Sequence, residues 1–326
     1  MSLFSKFLTG AALMTLAACA AVGTTASSRN DETTETWPPI GEFVTLENGR
    51  RVHAFQTGSG PDLVLIHGAS GNVRDFTFSF ADRVKDRYRV TVFDRPGLGY
   101  TDRANARVEG AFNSDAETPY EQALMLKQAA EKLGVERPIV LGHSYGGAVA
   151  MAWGLEYEPA ALVVVSGATI PWSGGLGAQY RLLGSSLGGA IIAPIATAFA
   201  TRSRIDTVTE AIFEPQPVPE GYLDYVGPGL TLKQTAIRAN ARQVNNLHEQ
   251  VSEMAPRYET VTVPVEIVHG AADEVVPPQV HAEPLHNLLP NSNLTLLEGI
   301  GHMPHHWAPE AVEAAIDRVA ARAGLR

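Results

Sequence analysis

Ile139-Val140-Leu141-Gly142-His143-Ser144-Tyr145-Gly146-Gly147 is the stretch that decides the fold. Three consecutive β-favouring apolar residues read as a buried strand, and the apolar spacing from Val149 to Tyr157 reads as a helix. Between them lies G-x-S-x-G, with glycines at 142 and 146 where a helix backbone must pass close to the strand it leaves. A strand-turn-helix of this form holds its serine in a strained turn and thrusts the Oγ beyond the carboxyl edge of a sheet. Ser144 is therefore the candidate nucleophile.

Working outward, continuous apolar runs recur at Leu63–Ile66, Val90–Phe93, Leu162–Val165, Val265–Val268 and Leu294–Leu297. Runs without strict alternation belong to central strands covered on both faces. Val44–Leu46 and Val52–Phe55, joined by Glu47-Asn48-Gly49-Arg50, read as an opening antiparallel hairpin with the Asn-Gly turn signal. Helical spacing appears over Pro119–Leu133 and Pro309–Ala321. The expected architecture is α/β: an eight-stranded, mostly parallel sheet with helices on both faces. From about Trp172 to Arg257 the rhythm breaks into helical patterns and Pro/Gly turns without a strong strand, over a length too great for a loop. That segment reads as a helical cap inserted between strands 6 and 7, over the carboxyl ends of the sheet. Its most apolar piece, Leu187–Ala200, is short and contains Pro194, so it reads as a pocket lining rather than a membrane span. The chain divides into 1–18, 19–36, a core in two parts at 37–171 and 258–326, and the cap at 172–257.

Serine is a weak nucleophile at neutral pH and needs a base and an orienting acid. Asp273 follows the run Val265–Val268 in the turn Gly270-Ala271-Ala272-Asp273, and His302 follows the last run in Gly299-Ile300-Gly301-His302. His305 and His306 then read as cap-facing or surface residues, and His67, His143 and His269 as packing or loop-orienting ones. No metal site is expected: Pro304 interrupts helical spacing between His302 and His306, and no carboxylate cluster adjoins them.

With Ser144, Asp273 and His302 in that order at strand ends, the chain resembles the α/β-hydrolase family, in its cap-bearing serine hydrolase branch, from Glu42 to the C-terminus apart from the cap. The resemblance implies an oxyanion hole in His67-Gly68-Ala69-Ser70-Gly71, formed by the backbone N–H groups of Ala69 and Tyr145. Asp94-Arg95-Pro96-Gly97-Leu98-Gly99-Tyr100-Thr101 also matches a common family segment, read as turn-shaping. One departure is the acidic residue that the family often carries shortly after the histidine, replaced around Trp307, with Glu310 nearby. A serine at the elbow disfavours haloalkane dehalogenase and epoxide hydrolase chemistry, where relatives use Asp. The implied activity is hydrolysis of carboxylic esters of small to medium apolar acyl or aryl groups through an acyl-enzyme, without a cofactor. Phe76, Trp153, Trp172 and Met303 are candidate pocket walls. The same triad also serves C-C bond hydrolases, acyl-homoserine-lactone hydrolases and cofactor-free perhydrolases, and a ligand-binding surface lipoprotein with vestigial turnover is the non-enzymatic reading.

The composition is consistent with one large core: 326 residues, 45% hydrophobic and 18% charged. A net charge of -10 argues against a surface built to neutralise nucleic-acid phosphates or anionic lipid headgroups, since either task calls for clustered Lys and Arg, and nucleic acid is not expected as a partner. The single cysteine, Cys19, excludes intrachain disulfides and thiolate zinc cages. It follows Lys6 and the apolar run from Phe7 to Leu16, the layout of a signal peptide over residues 1–18. Leu16-Ala17-Ala18-Cys19 resembles a bacterial lipobox, which implies lipidation of Cys19 and membrane attachment in the periplasm or at the outer membrane. Cleavage at Ala18-Cys19-Ala20 to a soluble periplasmic protein is the alternative. Residues 19–36, poor in large apolar side chains, read as a flexible tether.

Overall fold

The computed structural model describes the backbone over residues 3–175 and 177–326 and side chains at residue 17, over 19–175 and over 177–326. The segment 1–18, read from the sequence as a signal peptide, thus lies outside the residues described in side-chain detail apart from residue 17. An eight-stranded sheet has the order β1-β2-β4-β3-β5-β6-β7-β8, with β1 at Glu42–Thr45, β2 at Arg51–Thr57, β3 at Asp62–Ile66, β4 at Arg89–Phe93, β5 at Ile139–His143, β6 at Ala161–Val165, β7 at Val265–Gly270 and β8 at Ser292–Leu297. β2 is antiparallel to β1 and β4; all other pairings are parallel. Every residue of β5, β6 and β7 is buried, as expected for apolar runs covered on both faces, whereas β8 is a partly exposed edge.

The helices are α1 Leu3–Thr36, α2 Arg74–Thr77, α3 Phe80–Val84, α4 Pro119–Lys132, α5 Tyr145–Glu156, α6 Ala178–Gly184, α7 Ser186–Phe199, α8 Arg202–Phe213, α9 Tyr222–Val226, α10 Pro228–Leu232, α11 Gln234–Met254, α12 Pro278–Leu288, α13 Pro304–Trp307 and α14 Pro309–Arg322. Alternation along the strands splits the core. Val64, Ile66, Val140, Leu162 and Val164 pack with α4, α5, α11 and α12, while Leu63, Leu65, Ile139, Leu141 and Val163 pack with α2, α3 and α14. Helix α4 shows why such elements start where they do: Thr118 and Glu121 form a reciprocal capping box and Pro119 occupies the first turn. The helices α6–α11 form the cap, inserted between β6 and β7.

Two expectations are corrected here. Residues 19–36 are not a tether but part of α1, which packs along α7 and α10. Ala26 and Thr33 are buried, and Arg29 donates to the carbonyls of Thr197 at 3.3 Å and Ala200 at 3.0 Å. The reading failed because it looked for large apolar residues; Val22, Ala26, Asn30, Thr33 and Trp37 instead recur every three or four positions and leave a face narrow enough for close helix contact. The second correction concerns Leu187–Ala200, whose large side chains face outward instead of lining a pocket.

Candidate active site

Ser144 sits between β5 and α5 at φ 53° and ψ -119°, a conformation sparsely populated for any residue but glycine. Its strain is sustained by the neighbouring backbone. The Ser144 N–H donates to the Val165 carbonyl at 3.0 Å, and its own carbonyl accepts from Gly147 at 2.9 Å and Ala168 at 3.1 Å. A Cβ on Gly142 would strike the Gly146 carbonyl, and one on Gly146 would strike the Ile66 carbonyl, so both glycines are required for helix and strand to approach this closely.

Asp273 lies in the turn after β7, buried. Its Oδ1 accepts from the N–H groups of Val275 at 2.9 Å and Val276 at 2.8 Å, its Oδ2 accepts from Nδ1 of His302 at 2.8 Å, and Nε2 of His269 shares its proton between the Val276 carbonyl at 2.7 Å and Oδ2 at 3.2 Å. Burial alone would raise the carboxyl pKa; hydrogen bonds from His269, His302 and the Val276 N–H outweigh it and hold the group below the usual carboxylate range. His302 follows β8, and its carbonyl accepts from Nε2 of His143 at 2.9 Å. The His143 and His302 rings stand 4.9 Å apart, and burial together with the neighbouring His305 and His302 keeps His143 neutral, well below the ordinary imidazole pKa. The structure therefore joins Asp273 to His302 and sets the residue preceding Ser144 against that pair. Ser144 Oγ itself makes no hydrogen bond among the described residues.

The Gly68–Ser70 loop flanks the elbow: a Cβ on Gly68 would lie 3.0 Å from Ser144 Cβ. The N–H groups of Ala69 and Tyr145 donate to no backbone carbonyl among the described residues. Arg95, buried, donates to the Gly68 carbonyl at 3.0 Å, to Gln122 at 3.0 Å and to Gln243 at 2.7 Å, and its guanidinium lies 3.8 Å from the Tyr145 ring centre. The Arg95 N–H donates to Nε2 of His67 at 3.0 Å, and His67 donates from Nδ1 to the Gly68 carbonyl at 2.8 Å. The segment read as turn-shaping thus also braces the loop beside Ser144.

Two clamps from the cap escaped the sequence reading. Asn240 of α11 accepts from the Ser70 N–H at 2.7 Å and donates to Ser70 Oγ at 2.9 Å. Gln216 accepts from the Gly301 N–H at 3.0 Å and donates to the Gly299 carbonyl at 2.6 Å, gripping the loop that carries His302. No local signal marks either residue, because each clamp joins positions far apart in the chain.

The four candidate pocket residues separate. Trp153 is buried in the core more than two turns along α5 from Ser144, and Phe76 is fully buried beneath the site against Phe80 and His305. Neither offers surface to a substrate, so both are corrected to core residues. Met303 is buried against Phe213, Tyr222 and Val226 at the seam of core and cap. Trp172, half-buried, stacks near His248 and His281 where the chain enters the cap. The groove of about 510 Å³ beside Tyr100, Lys233, Arg238 and Arg242 touches none of Ser144, Asp273 or His302.

His305 is buried, His306 is half-buried, and both face the cap. Each donates from Nε2 to Asp75, at 3.2 Å and 2.9 Å, and Tyr222 of α9 donates to the same carboxylate at 2.8 Å. Burial opposes ionisation of Asp75, but the two histidines hold its pKa well below the ordinary value. These groups bring donor atoms within 4.8 Å of one another, a spacing that their direct hydrogen bonds already explain.

An eight-stranded sheet with a strained serine between a parallel strand and a helix, beside a carboxylate–histidine pair on later loops, defines a class. The chain belongs to the alpha/beta hydrolase family, whose model matches residues 63–316, and it is a hydrolase. A protein of Cronobacter turicensis provisionally named as the carbamate hydrolase RutD is 28% identical over 262 residues, covering 77% of this chain and 87% of that protein. Among solved structures, an esterase from Exiguobacterium antarcticum has a TM-score of 0.65 at 20% identity and covers 86% of this chain and 99% of its own. A membrane phospholipase A described as a bacterial virulence factor has a TM-score of 0.63 at 20% identity and covers 97% of this chain and 99% of its own. These two structures bear on the fold.

Proposed function

We propose that the protein hydrolyses carboxylic esters of small to medium apolar acyl or aryl groups, with Ser144 as nucleophile, His302 as general base and Asp273 as its orienting acid. The observation that carries this reading is the 2.8 Å bond from His302 Nδ1 to Asp273, which leaves Nε2 as the free base nitrogen, on a ring 4.9 Å from that of His143, the residue before the strained elbow serine. His302 Nε2 takes the Ser144 proton as Oγ attacks the acyl carbon. The oxyanion is met by the N–H groups of Ala69 and Tyr145, the latter at the first turn of α5, where the helix dipole adds positive potential. His302 returns the proton to the leaving alcohol, and water, deprotonated by the same imidazole, then hydrolyses the acyl-enzyme. Hydrolysis at a small ester with acyl-enzyme burst kinetics, lost by roughly 10⁴-fold or more in Ser144→Ala, is the expected result. A panel of activated esters, lactones, amides and dienone-type substrates run with both proteins tests it; turnover unchanged by Ser144→Ala, or binding of the whole panel without turnover, would overturn it.

The lipobox-like segment supports a second part of the reading: export, lipidation of Cys19 and residence at a periplasmic or outer membrane. Cys19 is exposed on α1. Multiple acyl chains on one cysteine anchor stably where a single chain would not. Intact mass of membrane-extracted protein checks this; an unmodified chain beginning after Cys19 is the contrary outcome.

A further inference from the structure

Helix α7 carries a line of large apolar side chains with nothing over it. Leu187, Ile191, Ile195 and Phe199 recur every four residues and are 66%, 57%, 42% and 62% exposed. At 100° per residue these positions share one face about 120° wide. The opposite face, with Gly188, Gly189, Ala193 and Thr197, is buried. Scattered exposed apolar residues are ordinary, but a continuous line of four marks a contact surface.

The stretch of chain that carries this line is basic in an otherwise acidic protein, although Asp31, Glu32 and Glu35 are exposed on the adjoining α1. The chain carries -10 overall, yet no Asp or Glu occurs between Glu158 and Asp206, while Arg181, Arg202 and Arg204 flank α7 and are exposed. Arg202 pairs with Asp206 and Asp224, at 3.0 and 3.1 Å; Arg181 and Arg204 make no ion pair among the described residues. Helix α1 runs beside α7, tied to its last turn by Arg29, and Cys19 lies ten residues upstream on that helix, about 15 Å along its axis.

We infer that α7 is a bilayer-contact surface, lying in the interface of an anionic membrane with the Leu187–Phe199 line toward the acyl chains and the arginines at the headgroups. The helix lies on the membrane rather than crossing it. Its 14 residues span about 21 Å against a hydrocarbon core of about 30 Å, and α6 departs from it at 104°. No single helix among the described residues is long and apolar enough to cross a membrane. A second copy is a poorer occupant, since a two-fold contact through this face would oppose the arginines of one copy to those of the other. This surface is independent of the ester chemistry assigned to Ser144.

The test uses the full chain carrying Cys19→Ser, so that no lipid is attached and one new thiol can be labelled. Fluorophores at Ile191→Cys, Phe199→Cys and, as a remote control on α12, Leu288→Cys are mixed with phosphatidylglycerol–phosphatidylethanolamine vesicles whose acyl chains are brominated. Quenching several-fold stronger at 191 and 199 than at 288 is expected, and Ile191→Glu combined with Phe199→Glu lowers the vesicle-bound fraction at least tenfold with unchanged Tm. Equal quenching at all three positions overturns the inference, as does equal binding to purely zwitterionic vesicles or a lipid-free dimer in sedimentation that buries the 191 label. Hydrolysis of a water-soluble ester by the same proteins is a separate readout: its absence would sink the ester reading and leave the quenching pattern as it stands.

Discussion

Ser144, at φ 53°, is the residue on which the elbow turns, and its geometry depends on two hydrogen atoms where other residues carry a side chain. Gly142→Ala places a Cβ against the Gly146 carbonyl, so the elbow must shift. We expect ester turnover to fall at least a hundredfold, because displacing the nucleophile by about 1 Å is enough for that. Steady-state kinetics alongside thermal unfolding check it; full activity would contradict the role given to the turn. Asp273→Asn keeps the shape of the turn but removes the charge that fixes the His302 tautomer. The expected cost is roughly 10⁴-fold in kcat with KM little changed. An effect below tenfold would remove Asp273 from its assigned role. Ser144, Asp273 and His302 stand out in the sequence because each follows a recognisable strand run at a fixed chain order, and the structure bonds His302 to Asp273, while their catalytic roles belong to the proposal. Asp75 was not: its importance comes from His305, His306 and Tyr222, the histidines more than 200 positions away and the tyrosine in the cap.

At the scale of elements, the strands were readable because β-branched runs covered on both faces leave a strong one-dimensional signal, and β5, β6 and β7 contain the runs read for them and extend one or two residues beyond. Helix α1 was not, because between Val22 and Trp37 its packing face is built from Ala26, Asn30 and Thr33, which carry little hydropathy signal. The cap was legible as an interruption but not as a partner of the active-site loops, since Asn240 meets Ser70 across 170 positions and Gln216 meets Gly301 across 85. Those clamps are testable. Asn240→Ala leaves the Ser70 N–H without its partner, and Gln216→Ala does the same for Gly301. Each should cost about 1–3 kcal/mol of stability by the loss of a partly buried hydrogen bond. Each should also lower kcat more than it raises KM, since the loops they hold serve the transition state. Urea unfolding and steady-state kinetics on the two variants measure both quantities; a KM effect alone would mean that the cap only binds substrate.

For the molecule as a whole, buried neutral histidines set the response to acid. Burial, with help from neighbouring cations and histidines, lowers His67, His281 and His305 to about 4 from an ordinary 6.5. A group whose folded pKa is depressed in this way binds its proton first in the unfolded chain. Its stabilising contribution is therefore complete above pH 6.5 and declines as pH falls toward 4. Asp75, also depressed, contributes in the same direction but only below the ordinary carboxylate range. Global stability should thus drop between pH 7 and pH 5, with each such histidine adding up to about 1.4 kcal/mol per pH unit inside its interval. Urea unfolding across that range measures the slope; a flat profile would mean that these imidazoles are already protonated in the folded protein.

The cap's two polar grips have a consequence for timing. Asn240 holds the loop beside the oxyanion position and Gln216 holds the loop that carries His302, and both grips belong to one insertion. A molecule whose cap has lifted has also released the two halves of its own reaction centre. Under the proposed mechanism, cap opening and catalysis would then exclude each other, because one movement would free both loops.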